Sequence, residues 1–366
     1  MRHSCPRDGP LGRVGGVAAS VRWRAGAVRA VRARWSGAVE LAVDLDDGRE
    51  VRALAYPALV GDPVAGDRVL VTVGALDRGL GTGGYALVAA LPDRLPADPD
   101  DDPEGGHLVK ARYTPLQPMV LGADEQDSEH HAALRDADDL GGLPVVVADL
   151  HSALPAVVAG VRDVDPGLRV AYVMTDGGAL PAWFSRTVAG LRDASWLAGC
   201  VSVGQAFGGD LEAVTVHTGL LAARAVLGAD VAVVAQGPGN LGTGTRWGFS
   251  GVAAGEAVNA TAVLGGRPVA SLRISGADPR ERHRGVSHHS LTAYGRVALA
   301  PADVVVPLLP EVLGDLGGTV REQARSLGPP ATPHRLVEVD VTGLDDDPAA
   351  FLAAAAAGRH AATLPR

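Results

Sequence analysis

The densest group of reactive side chains runs from Arg280 to Ser290, RERHRGVSHHS. Its three imidazoles, His283, His288 and His289, can take up or release protons, or bind metal, near neutral pH. Arg282 and Arg284, with Arg280 beside them, can grip a phosphate or carboxylate through paired N–H donors. Asp278, just ahead, could orient one of the rings. The histidines lack the i, i+4 spacing that sets two ligands on one helix face, and Pro279 and Gly285 argue for a loop. On spacing alone a metal would need a further ligand from His151, Asp176 or Asp278. No metal ligand is therefore assigned, and the trio is read as acid–base and anion-binding residues.

A second stretch, GPGNLGTGT at 237–245, offers an anion cradle. Glycines at 237, 239, 242 and 244 permit positive φ and close approach of a ligand to the backbone. Successive amides around Asn240 can then point at an anion, with Thr243 and Thr245 adding hydroxyl donors. The pattern matches neither the Walker lysine loop nor the dinucleotide glycine fingerprint. His151 stands at a predicted strand end and is a catalytic candidate, while Ser152 reads as the cap of the following helix. Ser250 reads as a cap in the same way. Asp176 ends another strand and, like Asp278, is a catalytic candidate that could orient one of the imidazoles. The chain holds one lysine, Lys110, among 33 basic residues. A compact ammonium differs from a guanidinium, so Lys110 is a candidate for meeting a ligand anion.

These residues need elements to hold them. Short β-branched runs fall at 145–148, 170–174, 201–203, 231–235, 269–274, 304–306 and 336–341. Helical stretches lie between and after them, near 153–162, 180–192, 211–227, 251–264, 311–326 and 348–358. Uninterrupted apolar strands imply burial on both faces. Alternation of strand and helix predicts an α/β fold with a doubly wound, mostly parallel sheet. Ligands of such sheets bind beyond the carboxyl ends of the strands. The loops carrying His151, Asp176, the 237–245 glycines and the 280–290 histidines should therefore meet at one edge.

Ahead of that sheet the periodicity is two. Val39, Leu41, Val43 and Leu45 alternate with smaller or polar residues, and Asp47-Gly48 marks a hairpin. Residues 19–91 thus read as a small antiparallel β-barrel or sandwich. Residues 1–18 read as a flexible basic tail. Residues 92–106 hold four prolines and six acidic residues, the composition of an extended linker. The α/β domain with the site spans 107–366.

Charge and composition narrow the function. The net charge is −9, and residues 1–34 alone carry +7 (eight Arg against Asp8), which leaves −16 for the rest. An acidic bulk and only 4% aromatic residues argue against nucleic acid as the partner. Cys5 and Cys200 form no C-x-x-C pair, which excludes zinc ribbons and dithiol chemistry. No apolar run reaches about 18 residues and no leader segment is evident, so a soluble, cytoplasmic protein without a membrane partner is expected. GLGTGGY (79–85), HLVKARYTPLQ (107–117) and the 237–245 and 280–290 stretches together resemble a bacterial family known only as a domain of unknown function, with no assigned activity. The resemblance spans most of the chain and implies no mechanism. From the residues, the expectation is a transferase or hydrolase for a small phosphorylated or carboxylated metabolite. The cofactor is unassigned and a homo-oligomer is left open. The alternatives are a non-catalytic nucleotide or metabolite sensor, and nucleic-acid binding through the β domain.

Overall fold

The structure, a computed structural model, describes residues 21–97, 106–327, 334–340 and 349–366. The expected basic tail and most of the acidic linker lie outside these residues, as do the ends of the last expected strand and helix. Five strands, β1 (Trp23–Trp35), β2 (Ala38–Leu45), β3 (Glu50–Ala55), β4 (Arg68–Thr72) and β5 (Ala86–Ala90), close a barrel in the order β1-β2-β3-β5-β4. The period-two pattern explains it: Leu41, Val43, Val69, Val71 and Val88 point inward and are buried together. One pair, β3 with β5, is parallel, a departure from an all-antiparallel barrel. Gly48 takes φ 85° in the turn between β2 and β3, as the Asp-Gly pair requires.

Eight parallel strands follow. They are β6 (Pro144–Val147), β7 (Val170–Thr175), β8 (Gly199–Ser202), β9 (Leu211–Glu212), β10 (Val231–Gln236), β11 (Arg267–Ser271), β12 (Asp303–Leu308) and β13 (Arg335–Asp340). Their order across the sheet is β9-β8-β7-β10-β6-β11-β12-β13. Successive residues serve opposite faces. Val145, Val147, Val173 and Val234 pack in one core cluster, whereas Val146, Tyr172, Val233 and Val305 pack in the other. That is why the strands read as unbroken apolar runs. The helices α1 (Leu154–Val164), α2 (Arg186–Asp193) and α7 (Ala349–Thr363) cover the second face. The first is covered by α3 (Val216–Ala225), α4 (Ala253–Val263) and α6 (Leu316–Arg325).

Two expectations change in detail. A helix was expected from 211, but Leu211–Glu212 pairs with Val201–Ser202 as the sheet's edge strand and α3 starts at Val216. The loop expected at 280–290 becomes a helix at its end: α5 (His288–Thr292) is capped by Ser287, whose hydroxyl accepts the His289 amide, and continues as a π-helical turn, Ala293–Val297.

The chain reverses direction at the middle of the sheet. From β6 it travels through α1 to β7, on the far side of β10. From β11 it travels the other way, to β12. Adjacent strands with diverging connections open a crevice at their carboxyl ends. The phenol of Tyr294 fastens β6 to β11 there, donating to the Val147 carbonyl at 2.7 Å with the Ser271 carbonyl at 3.2 Å. On the outer side, the indole N–H of Trp35 in the barrel donates to the Trp183 carbonyl (2.7 Å). Tyr56 and Tyr85 of the barrel pack on Trp183 and Phe184.

Candidate functional site

A cavity of about 580 Å³ lies at the crevice between β6 and β11. Its walls come from three loops, Leu150 to Ser152 after β6, Pro238 to Phe249 after β10, and Arg273 to His289 after β11, with Thr187 of α2 beside them. The third loop returns to its own start. Ile274–Ser275 pairs antiparallel with Gly285–Val286, the Ser287 amide donates to the Arg273 carbonyl, and the Ser290 hydroxyl accepts the Arg273 amide. The hairpin thereby sets Arg273 beside the three histidines.

The three imidazoles cluster with ring centres 4.5–5.1 Å apart. His283 is buried and anchored through Nδ1 to the Ser287 hydroxyl at 2.7 Å. His289 is buried too; Phe249 stacks on it at 3.9 Å with the rings 2° from parallel. The His289 Nδ1 lies 3.3 Å from a carboxylate oxygen of buried Asp149 and 3.2 Å from an Arg273 guanidinium nitrogen. A carboxylate accepts and a guanidinium only donates, so Nδ1 cannot serve both at once: protonated, it donates to Asp149 and leaves the lone pair on Nε2; unprotonated, it accepts from Arg273 and the proton sits on Nε2. The Nε2 of His288 is buried with no hydrogen-bond partner among the described residues. Burial lowers the pKa of both His283 and His288 to about 4. The Arg273 charge acts in the same direction on each, as do Arg280 on His283 and Arg282 on His288. Both rings are therefore neutral at pH 7. One nitrogen from each of the three histidines lies within 4.8 Å of one from each of the others, close enough to converge on an ion.

Two of the arginines around the cavity are uncommitted in charge. Arg273 and Arg282 line it and make no ion pair among the described residues, and the Arg282 guanidinium lies over Gly244. Arg280 also lines the cavity but is bound on two sides by Asp278, at 2.9 and 2.8 Å. That guanidinium holds the Asp278 carboxyl well below the usual range. Asp278 thus orients an arginine and not a histidine. Arg284 is exposed, donates to the Asp278 carbonyl and does not line the cavity.

The glycine loop supplies less than its sequence promises. Gly239, Asn240, Gly242 and Gly244 line the cavity, with Gly239 and Gly244 at φ 95° and 80°. Gly237, Thr243 and Thr245 do not. The Gly237 amide is spent on the Thr175 carbonyl. The two threonine hydroxyls bond each other at 3.0 Å and hold the Gly248 backbone, closing the loop on itself. Asn240 is braced from below, its carbonyl oxygen accepting from Gln236 and from the Ser250 hydroxyl. Ser250, which also accepts the Leu241 amide, is a loop brace and not a helix cap. Ser152 caps nothing either. It lines the cavity.

His151 borders the cavity with both nitrogens engaged. Tyr172 spends its single proton on the Gln236 or Ala235 carbonyl. Its oxygen must then accept from His151 Nδ1 (3.1 Å), which assigns the neutral tautomer. Nε2 accepts from the Ser185 hydroxyl (2.8 Å), itself the cap of α2 through the Val188 amide. Burial lowers the His151 pKa to about 4. This ring is a strut between β7 and α2.

Two further expected residues stand elsewhere. Asp176 is exposed and accepts the Gln205 amide at 2.8 Å. Lys110 is 3% exposed, at the β8–β9 edge of the sheet. Its ammonium contacts the carbonyls of Ser202, Ala206 and Ala213 and the Glu212 carboxylate, all at 2.8–3.1 Å, so no proton is left for a ligand. Cys200 is buried, and burial raises its thiol pKa, so it is no thiolate nucleophile.

Sequence reading missed Arg273, Asp149 and Phe249. Arg273 falls inside the strand predicted at 269–274, and an arginine in an otherwise apolar run is the available signal. Asp149 directly follows the first strand of the sheet, where acidic residues commonly face a site. For Phe249, stacking on a histidine forty residues onward leaves no local trace.

A family model described as "Protein of unknown function (DUF3866)" matches residues 52–359. No curated protein and no solved structure matches the chain.

Proposed function

We propose a function from the site alone, because the chain belongs to the DUF3866 family, for which no function is described: hydrolysis or group transfer on a small phosphorylated or carboxylated molecule. One observation carries this reading. A single cavity joins two guanidinium groups without carboxylate partners among the described residues, Arg273 and Arg282, to three converging imidazoles, of which His283 and His288 are neutral. Cations without counter-charges beside a cleft attract an anionic group, and donors already aimed into it stabilise developing negative charge. The amides of Gly239, Asn240, Gly242 and Gly244 add dipoles on the same wall. The imidazole trio serves the nucleophile, and Asp149 fixes the orientation of His289. Hydride transfer is less well served, since the glycine loop lacks the dinucleotide pattern.

Thermal denaturation with inorganic phosphate, sugar phosphates and short dicarboxylates tests the reading. A ligand at a hundred times its Kd adds about 2.7 kcal/mol of stability, a rise of several degrees. The expected result is such a rise in the wild type and its loss in Arg282→Ala. In parallel, hydrolysis of p-nitrophenyl phosphate and p-nitrophenyl acetate should fall in Arg273→Ala. If no anion shifts melting and neither arginine variant changes any turnover, the proposal fails.

A further inference from the structure

We infer that His283, His288 and His289 bind one divalent transition-metal ion of the zinc type, with a coordination position open to the cavity. This rests on the proposed reaction site for its purpose, since the ion would be how the imidazole trio serves the nucleophile. The binding itself stands on geometry.

Four observations converge. First, the three histidines offer nitrogens within 4.8 Å of one another. A tetrahedral ion about 2.1 Å from each would set them ~3.4 Å apart, so modest ring rotations close the site. Second, Nδ1 of His283 faces the Ser287 hydroxyl and Nδ1 of His289 faces Asp149, so an ion would take Nε2 of both rings with the His289 proton held on Nδ1 toward the carboxylate. A carboxylate behind a ligating histidine is the usual way of fixing its tautomer and raising its basicity. Third, His288 Nε2 is buried without a partner among the described residues. An unmet buried polar atom is destabilising, and an ion would satisfy it. Fourth, the rings are already held: Phe249 stacks on His289, and Ser287 grips His283 while its hydroxyl caps the helix that carries the other two.

The donor set names the class of ion. Three imidazoles suit zinc, copper, nickel or ferrous iron and do not suit magnesium or calcium, which prefer oxygen. Three protein ligands with a vacancy facing a cleft is the arrangement of catalytic sites, whereas structural zinc sites fill all four positions. The Asp149 carboxylate offsets part of the dication's charge. Arg273 and Arg282 oppose it until an anion enters, which matches a site completed by an anionic substrate.

The test uses untagged, metal-stripped full-length protein. Cobalt(II) is titrated and read by its visible absorption, and zinc(II) is measured by competition with a chromophoric chelator. The expected result is one ion per chain and no displacement by magnesium. Affinity should fall by about 10–100-fold in Asp149→Asn and at least as far in His288→Ala. The inference is overturned if the wild type shows no saturable cobalt spectrum, or if a His283→Ala/His288→Ala double variant with wild-type melting binds as tightly. Should that double variant melt early, X-ray absorption on the wild-type zinc protein decides. Three imidazole nitrogens support the site, and two or fewer overturn it. Phosphate-dependent melting measured with a chelator present separates the two proposals. A shift there with no ion binding keeps the anion pocket and removes the ion. Ion binding with no anion response does the reverse.

Discussion

Two polar clusters sit on the same sheet, one at its β8–β9 edge and one at its middle, and they differ in how fully they are satisfied. At the β8–β9 edge, Lys110 meets three carbonyls and a carboxylate, while Glu212 accepts from Lys110, the Gly208 amide and the Ser202 hydroxyl. At the β6–β11 crevice, His288 Nε2 has no partner and Arg273 and Arg282 have no counter-charge among the described residues. Both clusters are built from the residue types that do chemistry. A closed network has nothing left to offer a ligand, whereas an open one bears a standing cost that a ligand would relieve. Completeness of pairing, more than residue type, separates a structural cluster from a site.

The sharpest break of this comparison is Lys110→Met. Methionine keeps the apolar stem but strands the Glu212 carboxylate, whose pKa burial already pushes upward against the pull of Lys110. Removing one partner of a buried ion pair costs about 3–5 kcal/mol. Urea unfolding should show a loss of that size, with anion-dependent melting shifts unchanged in the fraction that remains folded. If Lys110→Met instead abolished the shift at normal stability, the two clusters would have been assigned the wrong way round.

His151 supplies the next test, because it borders the cavity yet belongs to the closed kind of network. Its folded pKa of about 4 lies below the unfolded value near 6.5, so the unfolded chain binds the extra proton in between. Stability from this residue is therefore complete above pH 6.5 and is lost as the pH falls toward 4. At pH 5 the loss is about 2 kcal/mol relative to pH 7. His283 and His288, shifted the same way, add to the slope in the metal-free protein. Urea unfolding of metal-free wild type and His151→Gln at pH 7 and pH 5 isolates the His151 share. The variant should show the shallower pH dependence by about that amount. Equal slopes would mean that the ring is not the buried strut described above.

What the sequence disclosed follows the same divide between local and distant causes. The runs at 145–148 and 231–235 read as buried parallel strands because both faces of each bury valine, a property visible residue by residue. The convergence of the 237–245 and 280–290 stretches followed from strand ends meeting at one edge. The fate of Lys110 did not follow, because its partners lie 92 to 103 residues away and are fixed by an edge strand of two residues. Nor did that of His151, whose partners Tyr172 and Ser185 are 21 and 34 residues onward. The helix at His288 was within reach. Ser287 directly before two histidines is a capping residue in position, but Pro279 and Gly285 within the preceding eight residues point to a loop.

The smallest expected effects lie in the glycine loop, where bracing and binding can be told apart. Ser250 accepts the Leu241 amide and donates to Asn240, so Ser250→Ala leaves the Leu241 amide without its partner and Asn240 with Gln236 alone. Each net hydrogen bond is worth about 1 kcal/mol, and the loop's cavity-facing backbone should loosen. Anion affinity, read by phosphate titration, should then weaken several-fold with little change in melting. Thr243→Val removes a hydroxyl of the kind that glycine loops use for phosphate. Here that hydroxyl faces Thr245 and the Gly248 carbonyl, away from the cavity. Val fills nearly the same volume, and the backbone bond from the Thr243 amide to Gly248 survives. Affinity should stay within about twofold, well under the 1.4 kcal/mol that a tenfold change requires. A larger drop in Thr243→Val than in Ser250→Ala would mean that the threonine turns inward when an anion arrives. The loop would then bind through side chains as its sequence first suggested, and its open amides would be incidental.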